Sequence, residues 1–490
     1  MMLSEMLKKA REYEKTALKT ISNEQRPGFH FSAPTGWLND PNGFSMYQGE
    51  YHLFFQYYPY DTHWDFMHWG HAKSRDFIKW EYLPAALAPD ETYDSSGVFS
   101  GSALEDKGKQ VLIYTGVEEV EGQNGKKEVR QNQCIAVGDG LNYEKLENNP
   151  VITASQLPKG SSLEDFRDPK IWKEDGRFYL VAGSRNEDGS GQIALYSAEQ
   201  LDQWNFCSIL ARSANLHGSM WECPDFFALG EGHVLMVSPQ DMHAEGLEFH
   251  NGNNVIFVTG RYDKKAMSFE RTGLQSVDYG LDFYAAQTME TEDGRRIMIA
   301  WMQSWDNHMR HGDFRWSGMM TIPRELSVKN GRICQQPVRE LKRYHQNEVS
   351  YDSVSMEGET RLEGISGRRT DLTIEVEEGD YEKFSIKVAA NDRYYSAIVL
   401  DTKERILTFD RTYSGYGRDV ISSRSMKVDH QNGTIKLRIL LDQYSVEIFV
   451  NDGEQAMTSL IATPKDAEEI IFDVQGRACC SLKKYDVITD

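Results

Sequence analysis

An all-β protein, a five-bladed propeller followed by a C-terminal β-sandwich with a short N-terminal helix, is what this sequence of 490 residues predicts, and three observations carry the prediction. From residue 27 onward helical periodicity is scarce. Short apolar runs such as YHLFFQYY (51–58), QVLIYTGV (110–117), RFYLVAGS (177–184), HVLMVSPQ (233–240) and RRIMIAWM (295–302) alternate with Gly, Asn and Asp turns. Second, Trp80, Tyr143, Trp204 and Phe269 mark the ends of similar β-rich units at spacings of 63, 61 and 65 residues, and a fifth unit of that length would end near residue 332. Such a unit has room for four short strands and their turns, which is one propeller blade; a single large sandwich with accidental spacing is the alternative. Third, the pattern changes after Leu341. Longer runs with period-two alternation, among them LTIEVEE, KFSIKVAA, YYSAIVLDT, TIKLRILLD and YSVEIFVND, indicate a two-sheet antiparallel sandwich.

Taken in order, residues 1–26 form an N-terminal helical extension, with Leu3, Met6, Leu7, Ala10 and Ala17 at helical spacing and charges throughout, unlike the apolar core of a signal peptide. Residues 27–341 form the propeller, and 342–490 a linker and the sandwich, with the polar stretch 342–360 as the connection. No run approaches the ~18 apolar residues of a membrane span. The six cysteines show no CxxC pairing and no metal-ligand spacing, so they read as reduced thiols of a cytoplasmic protein. A net charge of −21 argues against nucleic acid and anionic membranes as partners and suits a neutral small molecule. Ten Trp, 24 Tyr and 22 Phe supply core and sugar-stacking surface alike.

In a propeller the innermost strand of every blade lines the central channel, so residues opening different blades converge. Early in successive units lie Asp40 (WLNDPNG, 37–43), Ser100 (VFSGS, 98–102), Asp168 (FRDP, 166–169), Glu222 (WECPD, 221–225) and Tyr284 (DFY, 282–284). The Asn-Asp-Pro-Asn-Gly run reads as a tight turn holding Asp40 at the mouth of a sheet. Convergent carboxylates without a metal motif are the equipment of glycoside hydrolysis, in which one carboxylate attacks the anomeric carbon and one carboxylic acid protonates the leaving oxygen. Asp40, short and held rigidly, suits the nucleophile. Glu222, longer and flanked by Trp221 and Cys223, suits a partly desolvated acid, and Asp168 beside Arg167 is expected to stay ionised. His63, His68 and His71 lie close together but lack a carboxylate at ligand spacing, so no metal is assigned. Cys223 reads either as a buried apolar residue or as a group that tunes Glu222.

WLNDPNG, FRDP and WECPD, together with WDFMHWGHAKSRDFIKW (64–80) and VFSGS, resemble glycoside hydrolase family 32, the β-fructofuranosidases, over nearly the whole chain. The resemblance implies a five-bladed propeller joined to a β-sandwich, retention of anomeric configuration and no cofactor. It makes Asp40 the nucleophile, Asp168 the transition-state stabiliser and Glu222 the acid/base. Fructosyl binding falls to Asn39, Gln56, Trp64, Phe99, Ser100 and Arg167, with Tyr284 and Trp301 matched in looser surroundings. Sucrose and short fructo-oligosaccharides are the leading substrates. A hydrolase dedicated to sucrose 6-phosphate is the alternative and would draw on Arg310, His311 and Arg315. A non-catalytic fructan-binding protein, the alternative of another class, would need no proton donor.

Overall fold

The computed structural model describes residues 3–122, 125–307, 309, 314–418 and 420–489. Five sheets of up-and-down strands cover 36–87, 97–145, 166–212, 221–276 and 284–337, and in each the strand order outward from the channel follows the sequence. The innermost strands, Gly36–Tyr47, Gly97–Asp106, Phe166–Glu174, Trp221–Leu229 and Tyr284–Glu290, pack each against the next and the fifth against the first, which closes the ring. Closure is reinforced by Trp316–Ser317 of the fifth unit, which pairs in parallel with Gly36 and Trp37.

The repeat read from the sequence has a definite physical origin. Trp80, Tyr143 and Trp204 are the first residues of the outermost strands of blades one to three, and Phe269 is the second residue of the fourth. The outermost strand of blade five begins at Arg332, where the fifth repeat was due. In blades one and three the indole N–H donates to the carbonyl three residues earlier, Trp80 Nε1 to Phe77 at 2.9 Å and Trp204 Nε1 to Leu201 at 2.7 Å, locking the turn that reverses the chain.

The WLNDPNG stretch is not a turn. It lies inside the strand Gly36–Tyr47, which carries register shifts between Leu38 and Pro41 and again between Asn42 and Ser45. Turn-forming residues serve here as bulge formers: Pro41 has no N–H to leave unpaired, and Gly43 adopts φ +51° where a Cβ would meet the Phe54 ring at 2.5 Å.

The N-terminal helix, α1 (Glu5–Ala17), starts at Ser4, whose hydroxyl accepts from Leu7 N. Its buried stripe is Leu7, Ala10, Glu14 and Ala17, so Met6, expected on that stripe, points outward instead. The helix docks on the outermost strand of blade one, Trp80–Leu87: Glu14 Oε2 accepts from Ala85 N at 3.0 Å and Arg11 Nε donates to Ala85 O at 2.9 Å. Burial raises Glu14 to about 7.

In the C-terminal domain the 19-residue strand Glu469–Val487 joins two layers. Its first half pairs with Tyr381–Ala390 and its second with Thr370–Glu377, and Leu372, Ile374, Phe384, Ile386, Leu437, Ile439 and Phe472 fill the core between the layers. The expected connection at 342–360 is corrected. After a 3-10 segment, Arg339–Tyr344, residues His345–Thr360 form an edge strand along Phe472–Val487 of the long strand. Met356 is buried and Val349, Tyr351 and Val354 pack partly on the same core, but a register shift between Tyr351 and Val354 breaks the apolar alternation that betrays a half-buried strand.

Propeller and sandwich share one core. Leu440, Tyr444, Phe449 and Leu460 of the sandwich belong to the apolar cluster that holds Trp37, Phe283 and Trp316 of the propeller. Beside it, His30 donates to Asp442 (2.8 Å) and Glu447 (2.7 Å), while Arg324 binds Asp278 at 3.0 Å and pairs with Glu447, all of them buried. None of the six cysteines is paired. Among the described residues no helix is long and apolar enough to cross a membrane.

Candidate active site

Each of the five innermost strands is bulged near its first residues, and the bulges face one another at one mouth of the channel. The irregular positions are Asn39–Asp40 opposite Gln56, Ser100 between Phe99 and Gly101, Asp168–Pro169, Cys223–Pro224 and Ala285–Ala286. Asp168 (φ 63°), Cys223 (φ 46°) and Ala285 (φ 52°) occupy left-handed backbone, which turns these strands sharply and aims side chains across the channel rather than along the pleat. Proline follows Asp40, Asp168 and Cys223 because a bulge leaves that amide out of the ladder.

Asp40 is fixed at both oxygens: Asn39 Nδ2 donates to Oδ1 at 2.9 Å and Ser100 Oγ to Oδ2 at 2.6 Å. Asn39 is itself held by Trp37 Nε1 at 2.8 Å. Glu222 is fixed from the other side, by Arg167 Nε to Oε1 at 3.0 Å and Tyr284 Oη to Oε2 at 2.6 Å. Asp168 Oδ2 accepts from Cys223 N at 2.9 Å, and Thr115 Oγ1 accepts from Asp168 N at 2.9 Å. The Cys223 sulfur sits 3.6 Å from Asp40 Oδ2 and 3.7 Å from Asp168 Oδ2, so it touches two of the three acids. Burial, followed by the three carboxylates, raises its thiol well above the usual range, so it serves as a neutral S–H donor.

The expectation that Arg167 keeps Asp168 ionised is corrected. The Arg167 side chain turns away from its neighbour to Glu222 and to Asp165 (3.0 Å). Burial, then the charge of Glu222, raises Asp168 well above the ordinary carboxylate range, with Arg167 opposing and Asp40 adding to the rise. Asp40 is also raised, chiefly by burial, against the donors Ser100 and Asn39. One guanidinium among three acids leaves a site under-compensated for negative charge.

The remaining expected residues divide into lining and support. Trp64, 44 % exposed, lies edge-on to Phe99 with ring centroids 5.8 Å apart, and Phe66 beside it is 52 % exposed. Gln56 Nε2 donates to Val98 O at 2.9 Å, tying blade one to blade two. Trp301 is wholly buried and meets Trp37 edge-on, so it backs the wall rather than presenting a face to a ligand; Trp305, partly exposed, stacks on Trp37 in front of it. Thr115 and Trp305 were not legible as site residues, because neither stands in a motif. Arg310 and His311 lie outside the described residues, and Arg315 is exposed and donates to Thr20 Oγ1. Of the three clustered histidines, His71 is buried against His52 at 2.8 Å and His68 bonds the Phe66 carbonyl, while His63 stands between Asp61 and Asp65 at the surface.

A propeller mouth with three converging carboxylates, each oriented by neutral or cationic donors and rimmed by aromatic faces, defines a glycoside hydrolase. The family model for the N-terminal domain of glycosyl hydrolases family 32 matches residues 30–337, and that for the family's C-terminal domain matches 339–487. The chain belongs to glycoside hydrolase family 32. It is 37% identical over 470 residues to a raffinose invertase of Escherichia coli, covering 94% of this chain and 96% of that protein. It is likewise 37% identical over 455 residues to a sucrose-6-phosphate hydrolase of Escherichia coli, covering 92% of each. Among solved structures, a Bombyx mori GH32 β-fructofuranosidase superposes with a TM-score of 0.84 at 31% identity, covering 98% of both chains.

Proposed function

We propose that this glycosidase releases terminal β-D-fructofuranosyl residues from sucrose and short fructo-oligosaccharides by double displacement, in the cytoplasm and without a cofactor. The observation that carries the reading is the opposed fixing of Asp40 by Ser100 and Asn39 and of Glu222 by Arg167 and Tyr284. Asp40 attacks the anomeric carbon while Glu222 gives its proton to the leaving oxygen. Glu222 then takes a proton from the water that cleaves the fructosyl ester, which restores the starting configuration. Asp168 holds sugar hydroxyls and, in its ionised form, offsets positive charge developing on the ring.

A second reading, hydrolysis of sucrose 6-phosphate, is favoured by the names of several relatives, among them those of Escherichia coli and Zymomonas mobilis. The exposed rim argues for the unphosphorylated sugar. Asp61 and Asp65 flank Trp64, and a phosphate brought there meets like charge, offset by His63 only when that ring is protonated. The test is kcat/KM for sucrose, sucrose 6-phosphate, a short inulin-type oligomer and a β-2,6-linked oligomer, measured side by side. Equal or better use of the unphosphorylated sugars is expected. A preference above about tenfold for the phosphorylated sugar, lost on replacing Arg310 or Arg315, reverses the ranking, since one charge-assisted bond is worth ~1.5–3 kcal/mol.

A further inference from the structure

The strand that delivers Tyr284 to Glu222 is led in by a segment that lies on the sandwich. The lead-in segment 278–282 runs along the sandwich strand Gln455–Leu460: Tyr279 N donates to Ala456 O at 2.8 Å, Leu281 N to Thr458 O at 2.9 Å, and Asp282 N to the same carbonyl at 3.1 Å. The approach is so close that a Cβ on Gly280 would fall 2.0 Å from Thr458 O. Asp278 anchors one end by accepting from Thr458 N at 2.8 Å and Thr458 Oγ1 at 2.7 Å. Asp282 anchors the other. Fully buried, it accepts from Leu460 N at 2.8 Å and from Arg411 Nη1 at 2.5 Å, and from Asn307 on its second oxygen.

Among the described residues, Arg411 reaches outside its own domain only to Asp282: its remaining side-chain bonds go to the carbonyls of Leu460 and Ile421. Two residues past Asp282, the Tyr284 hydroxyl reaches Glu222, with Ser238 O as its second acceptor at 3.0 Å. Tyr284 pairs with Trp301 of the second strand of blade five, and the bulge at Ala285–Ala286 then interrupts that ladder immediately after it. The sandwich contacts therefore fix one side of Tyr284 and the blade ladder, resuming at Gln287, the other.

We propose that the C-terminal sandwich positions the acid/base group, with Arg411 as its positioning residue: through Asp282 it holds the segment that places the Tyr284 hydroxyl on Glu222. The inference rests on the reading of Glu222 as the proton donor. It makes a claim that plain structural support does not, because in the first displacement, which kcat/KM reports, an error in placing Glu222 is felt only where the leaving group needs a proton.

The test compares sucrose with an aryl β-D-fructofuranoside, whose phenolate leaves without protonation, using the full chain. Arg411→Met is expected to lower kcat/KM on sucrose about tenfold and on the aryl fructoside less than about threefold, and in a Tyr284→Phe background to add little further on sucrose. Arg411→Lys keeps the charge but loses the forked geometry, so it gives a smaller loss with the same selectivity and serves where the Met variant does not fold. Equal losses on both substrates, or losses that add to those of Tyr284→Phe, overturn the inference. Wild-type protein that cleaves neither fructoside overturns the functional reading itself, and this inference with it.

Discussion

Two regions of this molecule bury charge, and they do so in opposite ways. At the propeller–sandwich interface every acid has its donors. Asp442 accepts from His30 and from the amides of Gly28 and Phe29, and Glu447 accepts from Arg324, His30 and Ile322 N. Burial pushes both carboxyls up, but these partners outweigh it and hold both below the ordinary range, whereas Asp278, which shares Arg324 with Glu447, stays raised because burial outweighs Arg324 and Thr458. At the channel mouth, burial is comparable but the acids outnumber the cations, and Asp40 and Asp168 are raised. Depth alone therefore does not set the protonation of a carboxyl; the count and aim of its donors do. A matched network holds two domains together, whereas an unmatched one leaves negative charge that positive charge developing on a substrate can answer.

The largest expected effect comes from removing one member of each region. Asp40→Asn should reduce turnover of every fructoside by on the order of 10⁴-fold, as loss of a nucleophile does, with no fall in Tm because the change relieves a crowded set of charges. Arg324→Met should do the reverse. Stranding Asp278 and Glu447 without their cation costs about 3–5 kcal/mol of stability, read as a lowered denaturant midpoint, while the activity of the protein that remains folded changes little. A large loss of stability in Asp40→Asn would show that the two regions do not differ as described.

His30 gives the next effect. Burial pulls its pKa down, but the bonds to Asp442 and Glu447 outweigh this and raise it from 6.5 to about 9. A raised histidine contributes its stability in full below the unfolded pKa and loses it as pH climbs through the folded one. Stability should thus decline by ~3 kcal/mol between about pH 6.5 and 9, and His30→Gln should flatten that slope. Denaturant titrations across this window provide the check, and an unchanged slope in the variant would remove His30 from the account. The smallest effect is at the mouth. Ser100 lowers Asp40, so Ser100→Ala should move the acidic limb of kcat/KM to higher pH, through the loss of one hydrogen bond to a charged group. Movement in the other direction would contradict the role given to the Ser100 hydroxyl.

Much of the fold was legible because its signal is periodic. The aromatic residues at 80, 143 and 204 sit at the first position of each outermost strand, and a structural repeat with a fixed turn imposes a fixed spacing. The carboxylates were legible because bulges recruit proline and glycine, which stand out beside an acid. The same feature misled at WLNDPNG, where turn residues shape a bulged strand: local sequence specifies the unusual backbone but not whether the chain reverses. His345–Thr360 escaped notice because register shifts, one of them between Tyr351 and Val354, break the alternation of the few apolar residues that face the core. The aim of Arg167 toward Glu222 and the reach of Arg411 to Asp282 across 129 residues depend on how blades and domains meet, which no local pattern encodes.

Whether the unmatched mouth performs a double displacement is tested most directly by following sucrose cleavage by NMR from the first turnover, before the released sugar mutarotates. Attack by Asp40 followed by hydrolysis of the fructosyl ester predicts that β-fructofuranose appears first and the other forms grow in behind it. Initial release of the α anomer would mean that water attacks the anomeric carbon directly, and Asp40 would then not be the nucleophile.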